Sequence, residues 1–157
     1  SLWIRQELEK LICYCMEKES ITEEDVAVIC SEQTENKIFD MINAMAEKKQ
    51  KKAMELYYDL LALKEPPMRI LYLITRQFNL LMQVKELSEE GYSAKTISER
   101  LKMAGFIVRN CLRQAEYFSL KTLKEALQDC VRMEEAVKTG RMNDVMSVEL
   151  LLVKYSS

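Results

Sequence analysis

Histidine is absent from this 157-residue sequence. That removes the usual neutral-pH general base, proton shuttle and imidazole metal ligand, and it leaves no serine or cysteine nucleophile with an imidazole to activate it. Glycine (3 residues) and proline (2) are scarce, too few for the repeated tight turns of an all-β chain or a string of βα units. With glycines only at 91, 105 and 140, neither a Walker-type phosphate loop nor a dinucleotide fingerprint can be written. Long apolar runs are also lacking. The strongest, Ile70 to Ile74, is far short of the roughly 20 residues that span a bilayer, and no basic leader with a cleavage site precedes it. A cytoplasmic setting is therefore expected. The five cysteines (Cys13, Cys15, Cys30, Cys111, Cys130) are odd in number and scattered, which points to reduced thiols. Cys13 and Cys15 would stand on roughly opposite sides of a helix and so cannot share a zinc ion. All five read as small packed hydrophobes, and no cofactor or metal is expected.

What the chain does have is a folding composition, 48% hydrophobic and 31% charged, with apolar residues at three- and four-residue spacing almost throughout. The spacing predicts an all-α fold. The chain opens on Ser1 and enters helical spacing at once, as a segment cut from a longer protein would. A first helix is expected from Leu2 to Lys18. Thr22 caps a short second one, with Ile21 stapled on Val26, ending near Ile29. After the polar stretch Ser31 to Asn36 come a third helix carrying Ile38, Ile42 and Met45, and a fourth over Lys51 to Leu63. Pro66-Pro67 is the sharpest punctuation, closing what precedes and opening a fifth helix from Pro67 to about Glu90. Gly91 ends that helix. Ser93 caps a sixth containing Ile97 and Leu101, and Gly105 breaks before a seventh, Phe106 to Tyr117. Ser119 caps a long eighth that Gly140 stops, and Asn143 caps a ninth bearing Met146, Leu150 and Val153.

Charge changes sign at the prolines. Residues 1–65 hold 9 basic and 14 acidic side chains, residues 66–157 hold 14 and 11. Two helical modules, 1–65 and 66–157, with a hinge near Lys64 to Pro66, are the expected organisation. The acidic pairs Glu23-Glu24, Glu89-Glu90 and Glu134-Glu135 read as solvated helix faces, not as acid and base. Residues 93–115 have the outline of a helix-turn-helix, with Arg109, Asn110, Arg113 and Gln114 on its second helix, and make a DNA-binding regulator the alternative reading. The overall charge of −2 lacks the broad basic field of such proteins, so a protein-docking face is preferred. On the fifth helix a 100° step gathers Ile70, Leu73, Ile74, Phe78, Leu81 and Val84 into one arc, with Gln77 near its middle and Arg76 at its edge. Gln77 is expected to bond a neighbouring helix backbone, or else the arc is wide enough to meet another subunit.

Taken in order, Pro67-Met68-Arg69-Ile70-Leu71, Thr75-Arg76-Gln77-Phe78, Gln83-Val84-Lys85-Glu86-Leu87, Gly91-Tyr92-Ser93, Phe106-Ile107-Val108, Leu112-Arg113-Gln114-Ala115, Phe118-Ser119-Leu120 and Lys138-Thr139-Gly140-Arg141 resemble the delta subunit of bacterial DNA polymerase III, a clamp-loader component. Leu8-Glu9-Lys10-Leu11, Ile21-Thr22 and Phe39-Asp40 carry the resemblance into the first module. The departure is Ala104-Gly105 before Phe106, where relatives often have a stiffer turn. The resemblance implies that residues 1–65 are an AAA+ lid-like bundle and residues 66–157 a collar-type helical domain. It implies a preceding AAA+ domain that touches the sliding clamp, no ATP hydrolysis by this subunit, and a collar joined to the ATPase (gamma/tau) subunits and the delta-prime subunit, with DNA met indirectly. Arg76, Gln77, Arg109, Arg113, Gln114 and Arg141, chosen for exposure and hydrogen-bonding capacity, are the candidate subunit-interface residues.

Overall fold

The structure, a computed structural model, describes the backbone of residues 23–157 and side chains from residue 33 onward. The helix expected over Leu2–Lys18, the Thr22 cap, the Ile21 staple, and the packing of Cys13, Cys15 and Cys30 lie outside what is described. Among the described residues there are seven α-helices and no strand: α1 (Glu23–Ala46), α2 (Gln50–Ala62), α3 (Pro67–Glu89), α4 (Ala94–Leu101), α5 (Gly105–Ala115), α6 (Leu120–Lys138) and α7 (Asp144–Ser156). The first is a correction. The polar stretch Ser31 to Asn36 is not a break but the middle of one continuous helix. It contains no glycine or proline, and polar residues of middling propensity cost too little to unwind a helix whose flanks are helical.

The chain divides into two compact units, Ser1–Lys37 and Ile38–Ser157. The described part of the first is the opening stretch of α1. The second holds everything from Ile38, including both sides of the proline pair. Pro66 stands in extended backbone at the cap of α3, with Pro67 as its first residue, where the missing N–H costs nothing. The prolines thus start a helix within one unit. Tyr57 of α2 is fully buried and donates its hydroxyl proton to the Val145 carbonyl at 2.9 Å, so α2 shares the core of the helices beyond them.

Helix α3 is the spine of that unit and packs against α4, α5, α6 and α7. Ile70, Leu73, Ile74, Phe78, Leu81 and Val84, the expected arc, are all buried, as is Leu71. Phe78 meets Phe118 edge-on at 5.8 Å between ring centroids and lies 6.2 Å from Tyr155, the offset geometry aromatic rings prefer. The arc is wide because four helices cover it, and it has nothing left over for a second subunit.

Sequence signals set most helix ends. Ser93 accepts the Thr96 N–H, Ser119 the Thr122 N–H, and Asn143 the N–H groups of Val145 and Met146. Gly91 and Gly140 hold φ of 99° and 75° and close α3 and α6 with paired bonds back into the last turn, Tyr92 N–H to the Leu87 carbonyl and Arg141 N–H to the Ala136 carbonyl, the Schellman pattern. Gly105 corrects expectation. It does not supply the break before α5 but is the first residue of that helix, capped by Ala104. The left-handed residue in this turn is Lys102 (φ 54°), and Lys64 (φ 64°) does the same after α2. A side chain in that region is strained where glycine is not. Lys102→Gly and Lys64→Gly should each raise unfolding free energy by about 0.5–1 kcal/mol in urea titrations, whereas Gly140→Ala should lower it.

Candidate functional site

Among the described residues, exposed apolar or aromatic side chains gather on α7 and around α5, beside single exposed residues such as Tyr72 and Val131. Helix α7 is apolar almost all round. Its inner side buries Val148, Leu151, Leu152 and Tyr155, while Met146, Leu150 and Val153 stand 51%, 44% and 38% exposed on the other. Spacing of four and three residues puts these three in one stripe. A helix apolar on every side is normally enclosed.

Polar contacts hold α7 in place. Besides the Tyr57 bond, Tyr58 donates to Glu149 Oε1 at 3.0 Å, tying the stripe's flank to α2. On the α6 side, Asp129 is buried and accepts from Tyr155 Oη at 2.5 Å and Lys154 Nζ at 2.6 Å, with Arg132 at 3.5 Å. Lys154 also reaches Glu125 at 3.0 Å. Burial pushes the Asp129 carboxyl up, but the Lys154 and Tyr155 hydrogen bonds and the Lys154 and Arg132 charges overcome it, leaving the group below the usual aspartate range. Burial, then its bond to Asp129, drives the Tyr155 hydroxyl strongly the other way.

The outer face of α5 differs in kind. A 100° step places Phe106, Arg109, Asn110 and Arg113 within one arc of about 100°, and Tyr117, in the turn after the helix, lines the same cavity as Asn110 and Arg113; all five are exposed. The opposite side buries Val108, Cys111, Gln114 and Ala115. Gln114 is thus a correction to the expected interface set. It is 1% exposed and serves as the hub of a polar node, its Nε2 donating to Asn43 Oδ1 (2.7 Å) and the Phe39 carbonyl (3.1 Å) on α1, and its Oε1 accepting from Gln77 Nε2 (2.9 Å) on α3. Gln77 is half-buried and finds a side chain, not the helix backbone expected for it. A cavity of about 150 Å³ opens beside this node, lined by Phe39, Asn43, Asn110, Arg113 and Tyr117. The helix-turn-helix outline is present as α4 and α5, but its four-residue polar face is not, because Gln114 points inward.

Of the other residues selected from sequence, Arg76, Arg109, Arg113 and Arg141 are exposed. Arg109 and Arg113 share the α5 face. Arg141 bonds Thr139 Oγ1 at 3.0 Å in the loop before α7. The α7 stripe was missed as a surface, since Met146, Leu150 and Val153 look like the core side of their helix. Among the described residues no cluster of three potential metal ligands occurs, and no helix is long and apolar enough to cross a membrane. Cys111 and Cys130 are free and buried. Burial raises both thiols, Cys130 to about 11, so neither is a reactive thiolate at neutral pH.

Two substitutions test these tethers. Gln114→Ala should cost about 2–4 kcal/mol in chemical denaturation, because it strands partners on two other helices. Asp129→Ala should cost about 2 kcal/mol at pH 7 by orphaning the Tyr155 hydroxyl. A carboxylate with a depressed folded pKa stabilises above its unfolded value and loses that contribution as pH falls through the folded one. The gap between wild type and D129A should therefore stay constant at neutral pH and close as pH drops below 3.8, the ordinary aspartate value.

Comparison with known proteins adds a family. Residues 35–155 match the model of the DNA polymerase III delta subunit, C-terminal domain. DNA polymerase III subunit delta of Bacillus subtilis (strain 168) is 34% identical over 151 residues, covering 96% of this chain and 44% of the relative. The solved structure of the Bacillus subtilis DNA clamp loader delta protein superimposes with a TM-score of 0.79 at 33% identity, again covering 96% of this chain and 44% of that one. The chain spans less than half the length of these relatives and agrees with them in sequence and in helical fold. It belongs to the DNA polymerase III delta subunit family, and residues 35–155 are the C-terminal domain of that family.

Proposed function

We propose that this chain is the lid-and-collar portion of a clamp-loader delta subunit, working by being held in a subunit ring. The delta subunit is a non-catalytic clamp-loader component, and this chain would contribute to opening and loading the sliding clamp through assembly, without hydrolysing ATP itself. In this reading residues 1–65 serve as the lid-like module and residues 66–157 as the collar, with residues 38–65 packed into the collar's core. The ATPase (gamma/tau) and delta-prime subunits are the collar's neighbours, and the clamp is engaged outside these residues.

The observation that carries the reading is the second apolar face of α7. Met146, Leu150 and Val153 are exposed on a helix whose other side is already used, and the bonds of Tyr57 and Asp129 fix its orientation. A stripe of that composition on a rigid helix suits a subunit contact, where apolar side chains form the centre and charges the rim. Exposed Arg141, in the loop that leads into α7, is the residue we assign to such a rim.

Mixing the chain with the other clamp-loader subunits should give a stable complex by light scattering. Met146→Glu with Leu150→Glu should weaken it at least about tenfold, with little loss of fold stability because both side chains are already exposed. An undiminished complex with M146E/L150E would remove α7 from the interface, and no association at tens of micromolar would defeat the assembly reading.

A further inference from the structure

The outer face of α5 is left unused by the core and by the α7 contact. Two aromatic rings flank two cations: Phe106, 60% exposed, then Arg109 and Arg113 on the helix, then Tyr117, 59% exposed, in the turn that follows it, with Asn110 among them. From Phe106 to Arg113 the face runs about 10 Å at 1.5 Å per residue, and Tyr117 extends it past the helix end. Neither Arg109 nor Arg113 pairs with an acidic side chain among the described residues. Glu116 follows directly on the helix, and Glu47, which lines the cavity, is itself paired with Lys49 at 2.8 Å. From Gly91 to Phe118 there are five basic side chains against two acidic ones in a chain of net −2, so the positive charge is local.

We propose that this face binds single-stranded DNA, the bases stacking on Phe106 and Tyr117 and the phosphates lying along Arg109 and Arg113. Exposed aromatic rings interleaved with guanidinium groups are what a sequence-tolerant single-strand platform needs, since every unpaired base offers a π-face and every linkage an anion. A duplex keeps its bases stacked on each other and gives Phe106 and Tyr117 no partner. Nor does the chain have the broad positive field that holds a duplex by its backbone. The cavity beside Tyr117, with the amides of Asn43 and Asn110 and the Arg113 side chain in its lining, gives an unstacked base a polar recess at one end of the face. The buried Gln114 node fixes the rotation of α5 that keeps this arc outward. The inference does not rest on the assembly role of α7, and its test separates the two.

A fluorescein-labelled oligothymidylate of about twelve nucleotides, titrated with this chain at low salt and followed by anisotropy, is expected to bind in the micromolar range. The duplex of equal length should bind more weakly. Phe106→Ala and Tyr117→Ala should each lower affinity about fivefold or more, while Phe106→Trp retains it. R109A/R113A should weaken binding and reduce the log–log salt slope by about 1.4, two single-strand phosphate contacts. M146E/L150E should bind the oligonucleotide like wild type. The proposal is overturned by no titration at tens of micromolar, by equal affinity for duplex, or by F106A and Y117A binding unchanged. It is equally overturned if those two substitutions impair subunit assembly and leave DNA binding intact, which would give the face to a protein neighbour.

Discussion

Burial of the α3 arc is the interaction on which everything else in the Ile38–Ser157 unit depends. Ile70, Leu73, Ile74, Phe78, Leu81 and Val84 line one side of a 23-residue helix, and four later helices close over them. Each buried aliphatic or aromatic side chain is worth on the order of 1.5–3 kcal/mol against exposure, and with Leu71 this one helix buries seven of them. Because α3 satisfies α4, α5, α6 and α7 at once, the outward faces of those helices are determined by how they sit on it. The α7 stripe and the α5 face are among the surfaces that this packing leaves outward in the described residues.

Apolar packing alone would leave each helix free to roll, since it is not directional. Polar contacts remove that freedom. Gln114 joins α5 to α1 and α3 in one node, and Asp129 joins α6 to α7 through Tyr155 and Lys154. Tyr57 joins α2 to α7 from the other flank, and Tyr58 adds a bond at the surface. Buried polar groups of this kind are costly unless satisfied, and no buried side-chain nitrogen or oxygen lacks a partner among the described residues. The consequence is functional: an interaction face needs a fixed orientation, and hydrogen bonds with defined partners supply one.

Much of this was legible in the chain itself. The spacing of apolar residues showed the helices from Gln50 onward, and Ser93, Ser119 and Asn143 marked starts because their oxygens accept orphan N–H groups locally. Gly91 and Gly140 marked ends because a left-handed residue is cheapest there. The failures have physical causes as well. Ser31 to Asn36 looked like a loop because it is polar, yet polarity does not unwind a helix without glycine or proline. Gly105 looked like the breaker, while Lys102 adopts the left-handed turn and Gly105 begins the next helix. The family resemblance rested on the order of many short segments, none chemically diagnostic alone.

What the sequence by itself determined is the all-α class, the register of most helices, the absence of histidine chemistry and of a phosphate loop, and the apolar arc of α3. These follow from local propensities and from residue types whose properties travel with them. Only the tertiary structure decided which of two apolar faces of α7 lies inside, that Gln114 is a hub and not a surface residue, and that Phe106 and Tyr117 flank two arginines on a free face. Periodicity ranks positions around one helix axis. The neighbours that cover one side and leave the other open come from distant parts of the chain, and no local pattern encodes them.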